Sequence, residues 1–169
     1  MITSAMTIAE DITARSPEIH WPDGFSPESA DMFAHNEIII NAPRSIVWQA
    51  LVRAEEWPTW YPNSHQVKVL NESSKGLLND GDQFSWQTFG FDLVSTVHEF
   101  VFESRLGWFG GSDWYHTWLL LDDPAGCRVV MEEVGNGEDA ANFARTTPDR
   151  MHRGHELWNQ TLKWTCEES

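Results

Sequence analysis

At 169 residues the chain has the length of one domain that can bury a sizeable core. Its 11 Lys and Arg against 26 Asp and Glu give a formal net charge of −15. Such a field repels phosphate backbones and anionic lipid, which argues against nucleic-acid and membrane-surface roles.

Residues 1–34 carry Pro17, Pro22, Gly24 and Pro27 among scattered acids and read as an N-terminal extension, partly loop. Within it Ser26 to Ala34 is expected to form a short helix, with Trp21 and Phe25 docking on the domain at 35–169. The stretch Met1 to Glu10 lacks the basic start and continuous apolar run of a secretory signal. No apolar run approaches the ~20 residues of a bilayer span, so cytoplasmic residence is expected. The β-branched run Glu37-Ile38-Ile39-Ile40-Asn41 predicts a strand. Pro43 ends it and opens a helix in which Ile46, Val47, Ala50 and Leu51 recur at helical spacing. The prolines of Trp57-Pro58-Thr59-Trp60-Tyr61-Pro62 hold that stretch to short helical or turn structure.

Strand-length segments follow at about 65–71, 82–89, 91–100, 104–109, 114–122 and 127–135. Asn79-Asp80-Gly81, Gly90, Gly110-Gly111 and Asp123-Pro124-Ala125-Gly126 separate them, which predicts an antiparallel meander. From Glu138 to Cys166 the pattern changes. Met151, His155, Trp158, Leu162 and Cys166 recur every three or four residues, giving one long amphipathic helix with a break near Pro148. This order is α+β, and only the last helix is long enough to cover the apolar face of the sheet.

Alternation along the strands sorts the side chains. The more apolar set, taken as inward, comprises Phe84, Trp86, Leu93, Val97, Leu106, Trp108, Trp118, Leu120, Val129 and Met131. The last two strands are nearly as apolar on their other face. The same parity brings Ser95, Glu99, His116 and Glu133 inward. A carboxylate buried without partners costs roughly several kcal/mol, so such groups are paired or functional. His116 beside a carboxylate suits general acid–base work, with Glu133 or Glu99 orienting it or acting as base. The expected ligand-binding set is Phe84, Trp86, Ser95, Trp108, Trp118, Met131 and, from the helix, Trp158.

Other chemistry finds little support. His152-Arg153-Gly154-His155-Glu156 lacks His-Glu-x-x-His spacing, so a packed or solvated helix face is expected rather than a metal. Cys127 and Cys166 form neither a disulfide framework nor a thiolate site. No Gly-x-Ser-x-Gly elbow or phosphate loop occurs. No cofactor and no metal is expected.

The stretch Ile38-Ile39-Ile40-Asn41-Ala42-Pro43, then Val47-Trp48, then Trp57-Pro58-Thr59-Trp60-Tyr61-Pro62, resembles the opening of the START-like, helix-grip superfamily. Gly81-Asp82-Gln83-Phe84-Ser85-Trp86, Val97-His98-Glu99, Arg105-Leu106-Gly107-Trp108, His116-Thr117-Trp118, Glu133-Val134-Gly135 and Leu162-Lys163 follow in order. Within the superfamily the chain looks most like the polyketide cyclase/dehydrase type of SRPBCC domain, over about residues 35–166. The resemblance implies a curved seven-stranded antiparallel sheet wrapped around a long C-terminal helix. Two short helices follow its first strand, and a deep cavity lies between sheet and helix.

Members of the superfamily bind lipids, sterols, plant hormones or polyketide intermediates. Some catalyse cyclisation or dehydration, and others act as chaperone activators. Fold does not transfer activity, and the family has no universal catalytic motif to map. The leading expectation is binding of a small hydrophobic molecule: a lipid, a polyketide or an aromatic compound. The alternatives are a cyclase/dehydratase acting on a polyketide-like substrate, and a chaperone-activator-like interaction protein. The partners expected are the small ligand and, optionally, a second copy in a homodimer.

Overall fold

The computed structural model describes residues 4–168, with side chains from Thr7 onward. The first three residues of the N-terminal extension and Ser169 lie outside the described part. In chain order the elements are α1 (Ser4–Ala14), β1 (Met32–Ile40), α2 (Arg44–Val52) and a 3-10 segment (Ala54–Thr59). Then come β2 (His65–Val69), β3 (Gln83–Thr88), β4 (Phe91–Val101), β5 (Arg105–Gly110), β6 (Trp114–Asp123) and β7 (Gly126–Gly135). A one-turn 3-10 segment, Glu72–Ser74, lies between β2 and β3. The chain closes with α3 (Glu138–Thr146) and α4 (Arg150–Glu167). Among the described residues no helix is long and apolar enough to cross a membrane.

The strands form one antiparallel sheet in the order β1-β7-β6-β5-β4-β3-β2. After β1 the chain crosses to the far edge through α2 and the 3-10 segment. It then returns strand by strand until β7 pairs with β1, Met32 opposite Gly135 and Ile40 opposite Cys127. The turn between β6 and β7 needs its glycine twice over. Gly126 has φ 142°, and a Cβ there would lie 2.6 Å from the Ile40 carbonyl oxygen and 2.7 Å from the Ala42 nitrogen. The curved sheet grips α4, and the main core between them gathers Trp57, Phe84, Trp108, Trp118, Trp158 and Leu162. This is the helix-grip fold. Thr147-Pro148-Asp149 interrupts the final helical stretch, as Pro148 requires, because it offers no N–H for a continuous ladder.

The extension departs from the expected reading. Its helix is α1; residues 26–31 form turns, and β1 starts at Met32. Local propensity loses there to tertiary pairing: the Asp31 amide donates to the Gly135 carbonyl at 2.9 Å, and Phe33 lies opposite Val134. Between α1 and β1 the chain straps the outer face of the sheet. Trp21 meets Phe33 and Tyr115 at ring separations of 6.3 and 6.0 Å, and Phe25 meets Tyr115 at 5.9 Å. Ile19 packs with Leu119 and Val130 in a second small core. The apolar character of both faces of β6 and β7 thereby has its cause: both faces are covered.

Candidate functional site

One end of the space between sheet and α4 is left open as a cavity of about 230 Å³. Strand alternation brings Trp86, Ser95, Trp108 and Trp114 to it, and α3 and α4 add Phe143, Met151 and Trp158. Phe89, in the turn between β3 and β4, closes one side. The walls are rigid because the rings brace each other. Trp158 stacks on Tyr61 at 4.4 Å with planes 8° apart, and meets Trp57 and Trp118 edge-on at 5.3 and 5.0 Å. Trp86 donates its indole N–H to the Ser95 hydroxyl at 3.0 Å, which removes one polar group from the apolar wall.

Besides the exposed Asp113 and Asp139 at its rim, three ionisable side chains interrupt this lining: His116, Glu133 and His155. His116 on β6 lies directly opposite Glu133 on β7 in the strand register. Its Nδ1–H donates to Glu133 Oε1 at 2.8 Å. His155, reaching from α4, places Nε2 3.3 Å from the same oxygen. One donor atom from each of the three lies within 4.8 Å of the others. Trp108 covers the His116 imidazole at 4.7 Å with planes 11° apart. Among the described residues His116 Nε2 and His155 Nδ1 have no hydrogen-bond partner.

Burial pushes His116 down to about 4, more than the Glu133 hydrogen bond and charge recover. Burial alone would raise the Glu133 carboxyl, but the two imidazoles that point at it outweigh that and hold it at about 2. At neutral pH the cluster is therefore a carboxylate held by a neutral His116. A carboxylate only accepts, so His116 carries its proton on Nδ1 and presents a lone pair at Nε2. The arrangement can orient a hydroxyl or amide on a ligand, move a proton, or hold a cation.

The structure brings six of the expected site residues to the cavity: Trp86, Ser95, Trp108, His116, Glu133 and Trp158. Phe84, Trp118 and Met131 belong instead to the packed core and do not border the cavity. Glu99 is not inward. The pairing of β4 with β5 skips a residue between Val97, opposite Trp108, and Glu99, opposite Gly107. This bulge breaks the alternation and turns both His98 and Glu99 to the outer face. There His98 packs on Phe109 at 5.0 Å, and Glu99 accepts from His20 Nδ1 at 2.7 Å.

Sequence reasoning sets His155 aside and passes over Phe89, Trp114 and Phe143. Trp114 shares parity with His116 and was open to the same argument. The sequence offers His155 only in a helical stripe and beside His152 in a spacing that fits no metal motif, because its partners come from two distant strands.

No protein-family model matches the chain, and no curated protein matches it significantly. Solved structures do. A hypothetical protein of Helicobacter pylori, jhp0584, is 27% identical with a TM-score of 0.80, covering 90% of this chain and 98% of its own. BH1534 of Bacillus halodurans is 21% identical, TM-score 0.60, covering 78% and 94%. TTHA0849 of Thermus thermophilus is 15% identical, TM-score 0.63, covering 80% and 97%. The latter two likenesses establish the fold and nothing of the chemistry.

Proposed function

We propose that the protein binds a small, flat, largely apolar molecule in the cavity between sheet and α4, as an SRPBCC domain of the polyketide cyclase/dehydrase type. The observation that carries this reading is the pairing of aromatic walls with a single buried polar cluster, His116–Glu133–His155. Apolar walls supply affinity at roughly 25 cal/mol per Å² removed from water, and few polar groups fix orientation. At about 230 Å³ the cavity is below the roughly 300–1,000 Å³ of sites for drug-sized molecules, which favours one or two fused rings over a multi-ring polyketide or a lipid. A phenol or enol could donate to the lone pair of His116 Nε2.

A cyclase or dehydratase activity is the second reading, favoured by the neutral His116 held by an ionised Glu133. A chaperone-activator role expects a filled interior and draws less support from this cavity.

Titration of the protein with one- and two-ring phenols, followed by Trp fluorescence and native mass spectrometry, tests the binding reading. Binding at one equivalent is expected, with Trp114→Ala weakening it by about tenfold or more, as loss of a buried apolar contact would. Phenols that leave the fluorescence unchanged, or bind W114A as they bind the wild type, would sink it.

A further inference from the structure

We propose that His116, Glu133 and His155 form a binding site for a divalent transition metal ion of the zinc or ferrous-iron class. Two imidazoles and one carboxylate are a donor set that such ions take, whereas magnesium and calcium demand oxygen ligands. An ion about 2.0–2.2 Å from each of three donors sets those donors roughly 3–3.5 Å apart. Here the carboxylate oxygen lies 2.8 Å from His116 Nδ1 and 3.3 Å from His155 Nε2, and all three donors fall within 4.8 Å of one another.

Each ligand stands on a regular element. His116 and Glu133 form a cross-strand pair on β6 and β7, and His155 projects from α4, so no loop must order to complete the site. Both histidines are at least nine-tenths buried, and each keeps a ring nitrogen with no hydrogen-bond partner among the described residues. The nitrogens that face the carboxylate oxygen are the ligating ones, and metal binding moves the His116 proton from Nδ1 to Nε2 so that Nδ1 offers its lone pair to the ion. The three side chains also border the cavity, so a molecule held there lies next to the ion. Three protein ligands and an open side are the form of metal sites that do chemistry, not of those that only brace a fold. The proposal stands whether or not the cavity takes an aromatic molecule.

The test uses the whole protein, stripped with a chelator and titrated with zinc or cobalt chloride in about 0.15 M salt, which screens its acidic surface. One equivalent should bind, and excess magnesium should not displace it. His155→Asn and Glu133→Gln should each weaken binding by more than the about 10- to 100-fold that outer-shell changes cost. Glu156→Gln, an exposed neighbour on α4, should leave it unchanged. Should either ligand variant fail to fold, the wild type decides alone: bound Cu²⁺ must show nitrogen hyperfine coupling from two imidazoles in its electron paramagnetic resonance spectrum. Oxygen-only ligation, failure to reach one equivalent, or undiminished binding in folded H155N and E133Q would each overturn the proposal.

Discussion

Trp158 offers a quantitative test of how the helix is gripped. It is 1% exposed, stacks on Tyr61 at 4.4 Å and touches Trp57, Trp118 and the cavity. Truncating a buried Trp to Ala costs about 3–5 kcal/mol. Its indole Nε1 has no hydrogen-bond partner among the described residues, and removing such a group relieves about 1–3 kcal/mol. Taking the middle of each range, Trp158→Ala should lose about 2 kcal/mol. Trp158→Phe keeps a ring over Tyr61 and gives up roughly two to three carbon groups at about 0.8 kcal/mol each, so relief of the indole nearly cancels the loss. For a chain of this length 1 kcal/mol moves the midpoint by about 2–4 °C. Thermal melts should show W158A down by about 4–8 °C and W158F within about 3 °C of wild type. Equal losses in the two variants would mean that the indole N–H is satisfied and the argument is wrong. A W158A melt within about 2 °C would mean that the ring is not part of the core.

Gly107→Ala should destabilise the outer layer. The added Cβ would run into the Tyr115 hydroxyl, and that ring is wedged by Trp21, Phe25, His98 and Phe109, so overpacking of about 1–3 kcal/mol follows. An unchanged urea midpoint would show that the ring yields freely.

The docking of α1 should weaken as pH rises. His152 donates to Asp11 at 2.8 Å, and that hydrogen bond, against the opposing effect of burial, raises its pKa. Burial opposes a rise at His35 too, but the hydrogen bond to Glu132 wins. A raised native pKa means that the stabilisation is complete below the ordinary His value of about 6.5 and fades as pH climbs through the native one. Amide exchange in α1, corrected for intrinsic rates, should show less protection at about pH 9 than at about pH 6, and His152→Gln should flatten the difference. Equal protection at both pH values contradicts this reading.

The strands were legible because each ends in residues that punctuate a chain: Asn79-Asp80-Gly81, Gly90, Gly110-Gly111 and Asp123-Pro124-Ala125-Gly126. The break between α3 and α4 could be read for the same reason, from Pro148. Alternation then delivered His116 and Glu133, and the register sets them face to face. It failed for Glu99 because a bulge leaves no mark in composition, and one skipped residue reverses every face beyond it. It could not separate Phe84, Trp118 and Met131 from the cavity lining, since inward is the same parity at every depth. The donor set was hidden for a different reason. Metal motifs on one helix are local, whereas His155 meets residues 22 or more positions away on two strands. The extension misled because its conformation is imposed by the sheet it crosses, not by its own propensities.

Glu132 and Glu133 are neighbours in β7 that look in opposite directions. Glu132, fully buried, accepts from the Ser16 amide at 2.7 Å and from His35 at 2.6 Å on the strapped side, while Glu133 serves the cavity. The middle of this sheet thus has no wetted surface, and the N-terminal strap is a wall of the building, not a porch. A chain trimmed to begin at β1 would keep every strand and the gripped helix. It would also take the Ser16 amide from Glu132, leaving it to His35, and bare Tyr115, Leu119 and Val130, a surface that would adhere to its own copies.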